Sequence, residues 1–234
     1  MYKKNDILAV ILARGGSKGI PKKNIKPLNS RPLIYYTISE AQNSDYIDRL
    51  VVSTDDNEIA KTSKKYGAEV PFKRPEYLAS DEATSIDAII HTLNWLDENE
   101  SFSPEYVMLL QPTSPLRRVK DIDDSIEQLI ENKGDSLISL KESEKHPYWM
   151  MEIQEGLVEP FSEKKEEYSR RQDLPAVYEI NGAIYLARTD LLLEEKTLSP
   201  GDTLPYVMPK ERSIDIDDIF DWKIAELLLK EEKY

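Results

Sequence analysis

Ile7-Leu8-Ala9-Val10-Ile11-Leu12 runs directly into Ala13-Arg14-Gly15-Gly16-Ser17-Lys18-Gly19-Ile20-Pro21-Lys22-Lys23-Asn24, and the reading of this passage decides the fold. Six successive apolar residues are too few for an ordinary helix and suit a strand buried on both faces. The segment after them is rich in Gly, Lys and Asn and has no hydrophobic period, so it reads as a loop at the carboxyl end of that strand. Ligands of open α/β sheets bind at such ends. Three glycines let the backbone approach a ligand closely and turn successive N–H groups toward an anion.

Outward from this passage, strands and helices alternate. Pro32 to Ala41 reads as a helix with proline at its start. Leu50 to Ser53 reads as a strand, Asp56 as the cap of a helix reaching Tyr66, and Glu69 to Phe72 as a further strand. Thr84 with Asp87 resembles a capping box opening a helix to about Glu98. Tyr106 to Leu110 is a buried strand, Asp121 to Asn132 a helix, and Ser136 to Leu140 a strand. Alternation of this kind predicts right-handed crossovers and a mostly parallel, Rossmann-like sheet with helices on both faces. The pattern breaks after residue 140. Residues 141–180 read as an inserted arm, charged and aromatic through Arg171, with strand-like pieces such as Tyr148 to Ile153. Gly182 to Ala187 resumes a strand, Ser213 to Ile216 is a short one, and Asp218 to Lys230 is a closing helix. The 234 residues fit a single domain carrying this arm.

Composition narrows the function. The formal net charge of −13 argues against nucleic acid or an anionic membrane surface as a partner. No cysteine is present, which removes disulfides, thiolate zinc sites and a cysteine nucleophile. Two histidines argue against a histidine-based triad. The apolar run near the N-terminus is too short for a signal peptide core, so the expectation is a cytoplasmic protein without a membrane span. From Ile7 to Ser39 there is no acidic residue, while Arg14, Lys18, Lys22, Lys23, Lys26 and Arg31 all fall there. A cationic island on an acidic protein attracts small anions locally while the remainder repels polyanions. The loop is neither G-x-x-x-x-G-K-[ST] nor G-x-G-x-x-G. By composition alone a solvated basic turn remains an equal reading.

The full string Ile11 to Asn24 resembles the signature loop of the acylneuraminate cytidylyltransferases, with the pattern A-R-x-x-S-K-G-x-x-x-K-N. Further segments resemble that family in the same order: Val52-Ser53-Thr54-Asp55, then Arg74-Pro75-Glu76-Tyr77-Leu78-Ala79-Ser80-Asp81 with Ser85. After these come Leu110-Gln111-Pro112-Thr113-Ser114-Pro115-Leu116-Arg117, Asn181-Gly182-Ala183-Ile184-Tyr185 and Ser213-Ile214-Asp215-Ile216-Asp217. The resemblance spans nearly the whole chain. It implies a fold of the nucleotide-diphospho-sugar transferase type and transfer of CMP from CTP to a nine-carbon sugar acid with release of pyrophosphate. It also implies a homodimer paired through the arm.

On this resemblance Arg14, Gly15, Gly16, Ser17, Lys18 and Lys23 face the triphosphate, with Arg14, Lys23 and Asp217 the catalytic groups. Asn24, Arg74 and Ser85 hold the cytidine, while Gln111, Arg171 and Tyr185 hold the sugar. Asp215 and Asp217 bind Mg²⁺. Two carboxylates two residues apart in a strand project to one face, and Mg²⁺ takes one or two carboxylates together with substrate phosphates. Asp217 or Asp218 also suits the cap of the last helix, Gln111 a turn, Arg171 a surface position and Tyr185 core packing. The family's sialic acid enzymes carry a basic residue shortly after the His-Pro pair. Here the stretch is His146-Pro147-Tyr148-Trp149-Met150-Met151, which points to a relative such as legionaminate in place of N-acetylneuraminate. Kdo or pseudaminate as the sugar acid, and a non-catalytic nucleotide-sugar binding protein, stay open.

Overall fold

A computed structural model describes residues 6–17, 19–162 and 174–231. Its strands are β1 (Ile7–Leu12), β2 (Pro27–Leu28), β3 (Arg31–Pro32), β4 (Arg49–Ser53), β5 (Tyr106–Leu110), β6 (Ser136–Glu142), β7 (Met151–Gln154), β8 (Leu157–Pro160), β9 (Tyr178–Arg188) and β10 (Thr203–Val207). Its α-helices are α1 (Leu33–Gln42), α2 (Asn57–Lys65), α3 (Ser85–Glu100), α4 (Val119–Glu131), α5 (Thr189–Glu195) and α6 (Ile219–Glu231). The main sheet has the order β10-β6-β9-β5-β1-β4. β1 is parallel to β4 and β5, and β10 to β6, while β9 is antiparallel to both its neighbours. The sheet is therefore mostly parallel, as the alternation predicts, with one reversed strand inserted between β5 and β6.

Burial on two faces explains the continuous apolar strands. Along β1, Ile7, Ala9 and Ile11 enter one core cluster with residues of α1, α2 and α4, while Leu8 and Val10 enter another with Ile89, Leu93 and Leu96 of α3. Side chains alternate across a strand, so a strand covered on both sides must be apolar at every position. On α4, Ile122, Ser125, Ile126 and Leu129 are buried, the spacing of one helix face. A third cluster lies outside the sheet. It joins Ile20 of the glycine loop, Leu28, Leu33, Leu116, Ile216, and Trp222, Ala225 and Leu229 of α6.

Several boundaries differ from the sequence reading. Glu69 to Phe72 is not a strand: Glu69 makes one bridge to Val51, and Pro71 has no N–H to continue a ladder. Ser213 to Ile216 is likewise not a strand. It crosses the carboxyl edge of the sheet, where the Ser213 amide donates to Lys210 O and the Ile216 amide to Thr113 O, so no ladder forms. β10 and α5 were not foreseen. α4 begins at Val119, because the Asp121 carboxylate reaches back to accept the Arg118 amide at 2.9 Å. Beyond the ladder pair Glu142↔Tyr178 the chain leaves the sheet and forms the β7–β8 hairpin.

Ile126→Ala, in the middle of α4 beneath the sheet, is expected to lower unfolding free energy by about 2–5 kcal/mol. Urea denaturation measures this. An unchanged midpoint would contradict the packing of α4 on the sheet.

Candidate active site

The loop after β1 is braced from within before it meets any ligand. The Asn24 side-chain amide donates to Arg14 O at 3.1 Å, and the Gly15 amide donates to the Asp55 carboxylate at 3.0 Å. Asn24 is buried, so its nitrogen holds the loop, leaving its oxygen as the atom available to a nucleoside. Gly16 stands at the surface with open space around it, and Ser17 is half-buried. Lys18 lies outside the described residues.

Arg14 turns toward the segment before α3. Its guanidinium donates to Ser80 O at 3.1 Å and pairs with Asp81 at 2.8 Å while remaining partly exposed. Arg74 is buried. It donates to Ser53 O at 2.6 Å and to Leu78 O at 3.3 Å, fastening the end of β4 to this same segment. Burial pulls its pKa below the usual guanidinium value, against the nearby Asp55 charge and with the Arg14 charge. Arg74 thus stands near Arg14, with its Nε buried and without a protein partner. Ser85 is exposed at the first position of α3, after Thr84, whose hydroxyl accepts the Asp87 amide.

The acidic segment arrives against the other side of the loop. Lys23 Nζ donates to Ile216 O at 2.7 Å and lies 3.8 Å from the Asp217 carboxylate. Gly19 approaches the same segment so closely that a methyl group there would collide with the Asp217 carbonyl oxygen. Asp218 caps α6, accepting the Phe220 and Asp221 amides at 2.7 and 3.0 Å. The Asp217 side chain is left 82% exposed and free of that capping role.

A third set of residues completes the cleft. β9 carries an irregularity opposite Ser139 of β6. There Asn181 Oδ1 accepts from Ser139 Oγ at 2.6 Å and from the Ala183 amide at 3.1 Å, and its Nδ2 donates to Ser213 Oγ at 2.9 Å. Bulges bend a strand and re-aim its residues. Here the bend places Gly182, at φ +73°, where an added Cβ would lie 3.0 Å from Gln111 Oε1 and 3.3 Å from Asp215 Oδ2. Gln111 and Asp215 therefore share one corner. Burial pushes the Asp215 carboxyl up, a hydrogen bond from the Thr113 hydroxyl opposes this, the Asp217 charge adds to it and Lys23 counters it. Burial also raises the Tyr185 hydroxyl, with a further push from Asp215, so Tyr185 borders the same corner. Its ring packs on the α3-side core. Arg171 lies outside the described residues.

The expectation that Asp215 and Asp217 share a strand face is corrected, since no strand exists there. Asp215 is half-buried and Asp217 exposed; Lys23 lies beside Asp217, and its charge also acts on Asp215. Their fit to Mg²⁺ has independent support in Asp215 Oδ1, a buried carboxylate oxygen without a hydrogen-bond partner. Among the described residues no group of three or more metal-type ligands occurs. An ion held by these two carboxylates would complete its shell with substrate oxygens, the usual arrangement for Mg²⁺. Asp55, Ser80, Asp81 and Thr113 were read as parts of motifs without roles. The structure shows that they hold Gly15, Arg14 and Asp215.

Comparison with known proteins bears on this arrangement. Residues 8–212 match the family model described as cytidylyltransferase. The CMP-N,N'-diacetyllegionaminic acid synthase of Campylobacter jejuni is 37% identical over 225 residues, covering 96% of this chain and 95% of that one. The N-acylneuraminate cytidylyltransferase of Streptococcus agalactiae is 36% identical over 213 residues, 90% of this chain and 50% of that one. A solved CMP:2-keto-3-deoxy-manno-octonic acid synthetase complexed with CTP superposes with TM-score 0.70 at 15% identity, covering 97% of this chain and 99% of that one. That likeness shows the fold.

The packing at Gly19 is open to test by urea denaturation. Gly19→Ala is expected to cost about 1–3 kcal/mol, as overpacking does. Gly16→Ala, whose Cβ meets open space, should stay within about 0.5 kcal/mol of the parent. Equal losses would refute the close approach to Asp217.

Proposed function

The chain belongs to the cytidylyltransferase family, and from that premise we propose that it joins CMP from CTP to a free nonulosonic acid, releasing pyrophosphate. The observation that carries this reading is the meeting of the braced glycine loop with the Ile216–Asp217 segment through Lys23 and Gly19, one residue on from Asp215 in its corner with Gln111. A cationic loop facing two carboxylates suits a nucleoside triphosphate. Gln111 and Tyr185 beside Asp215 supply the neutral donors and acceptors that a polyhydroxylated sugar needs.

In the proposed reaction the anomeric hydroxyl oxygen of the sugar acid attacks the α-phosphorus of CTP. A new O–P bond forms, the bond to the pyrophosphate oxygen breaks in line, and the hydroxyl proton passes to solvent. The sugar's own C–O bond stays intact and no covalent enzyme intermediate is required. Such transfers depend on positioning and on neutralising phosphate charge. Arg14, Lys23 and the loop amides of Gly16 and Ser17 take the triphosphate, with the Gly15 amide held by Asp55 and Lys18 assigned there from its motif. Asn24, Arg74 and Ser85 take the cytidine. Gln111 and Tyr185 take the sugar, and Arg171 its carboxylate, again from the motif. Asp215 and Asp217 would hold Mg²⁺, which when bound lowers the pKa of the attacking hydroxyl and draws off phosphate charge. Arg14 must leave Asp81 to reach phosphate, an exchange of one anion for another of higher charge.

We assign the sugar to the legionaminate type. The support is in the sequence: Trp149, partly exposed, follows His146-Pro147 where a basic residue would suit N-acetylneuraminate. We further propose a homodimer through the arm. Ile153, Leu157, Val158 and Phe161 on and beside the hairpin are all more than 60% exposed, an apolar surface that a second copy would cover.

Pyrophosphate release from CTP and Mg²⁺ with a panel of sugar acids tests the reading. Turnover with N,N'-diacetyllegionaminic acid is expected to exceed that with N-acetylneuraminic, pseudaminic or Kdo acids. No CTP-dependent release with any of them would refute the assigned activity. Asp217→Asn is expected to lower kcat by at least about a hundredfold with the fold intact, and near-normal turnover would remove Asp217 from the metal site. Sedimentation at micromolar concentration is expected to give a dimer, and a stable monomer would refute the arm interface.

A further inference from the structure

Arg117 is the largest fully buried side chain among the described residues, 1% exposed, yet it carries a charge. It follows the loop after β5, and its Nη1 donates to Ala183 O at 2.6 Å and to Gln111 O at 3.3 Å. These two carbonyls belong to the residue beside Gly182 and to the residue whose amide faces Gly182 and Asp215. Thr37 Oγ1 adds a second donor to Gln111 O at 3.3 Å. Nε and Nη2 have no protein partner. The carboxylates that face Arg117 are Asp121 and Glu40, and desolvation nevertheless brings its pKa down to about 10. Neither acid depends on Arg117: Asp121 is bound by Arg212 at 2.8 and 2.9 Å, and Glu40 accepts the Val119 amide at 2.6 Å.

A buried guanidinium without a dedicated carboxylate is a poor stabiliser, because desolvation outweighs what two carbonyls return. What it does provide is a rigid bridge from the end of β5 to the middle of the oppositely directed β9, at the point where β9 bulges. The glycine loop is anchored elsewhere, through Asn24 and Asp55 and through Lys23 to Ile216 O. We propose that Arg117 is a positioning residue that fixes Gln111 against Gly182 and Asp215, and so sets the sugar half of the site independently of the nucleotide half. This rests on the assignment of Gln111 to the sugar.

Steady-state kinetics on the full-length protein, varying CTP and N,N'-diacetyllegionaminic acid separately, test it with Arg117→Met, Arg117→Lys and Gln111→Ala. Arg117→Met should raise the KM for the sugar about tenfold or more, as sub-ångström to ångström misplacement does, with the KM for CTP unchanged. Arg117→Lys, which can still reach Ala183 O, should recover part of the loss and remain folded if the Met variant does not. Arg117→Met combined with Gln111→Ala should be no worse than Gln111→Ala alone. Equal rises in both KM values, or no rise for the sugar in either Arg117 variant, would overturn the positioning role. A Gln111→Ala protein with an unaltered sugar KM would instead refute the sugar assignment of Gln111, and this inference with it.

Discussion

The contact of Lys23 with Ile216 O and Asp217 spans 193 residues of sequence to its carbonyl partner and closes the cleft. Around it, Gly19 lies against the Asp217 backbone and Ile20 packs with Ile216 and α6. A basic loop alone binds anions weakly and without orientation, and two carboxylates alone repel one another. Held together by an apolar cluster and one half-buried hydrogen bond, they present opposite charges across a short gap. A triphosphate with its cation has that same distribution of charge.

The second constraint is the reversed strand β9. Inserted antiparallel between β5 and β6, it brings Tyr185 opposite Leu109 and Ile138 and carries the bulge at Asn181–Ala183 into the carboxyl edge of the sheet. Asn181 then ties that bulge to Ser213, the start of the acidic segment. One buried amide thereby fastens the bulge to the backbone that leads into Asp215. The separate anchoring of the glycine loop divides the site into two halves that meet at Asp215.

Charge works at two scales. The chain carries a net charge of −13, which repels polyanions from most of its surface. Within the cleft, Arg14, Lys23 and Arg74 concentrate positive charge where Asp55, Asp81 and Asp217 partly balance it. Asp81 and Asp217 keep Arg14 and Lys23 in place without a ligand, and their exposure lets a more highly charged phosphate displace them.

The sequence by itself determined the strand–helix alternation, the glycine loop and its basic residues, and the set of motifs that carry the family. These are written in local patterns: apolar runs for strands buried on both faces, helical spacing on α4, caps at Asp56 and Thr84. Asp218 as the α6 cap was legible in the same way. The tertiary structure alone decided how Asp215 meets Asp217. The segment is not a strand, and a long-range lysine contact holds Ile216 and Asp217 against the loop. It alone decided also the bulge that aims Gly182, the pairing of Arg14 with Asp81, and the burial of Arg117 between two carbonyls. No local pattern encodes these, because each depends on which distant backbone atoms a fold brings within hydrogen-bond reach, and that is set only when the whole sheet closes.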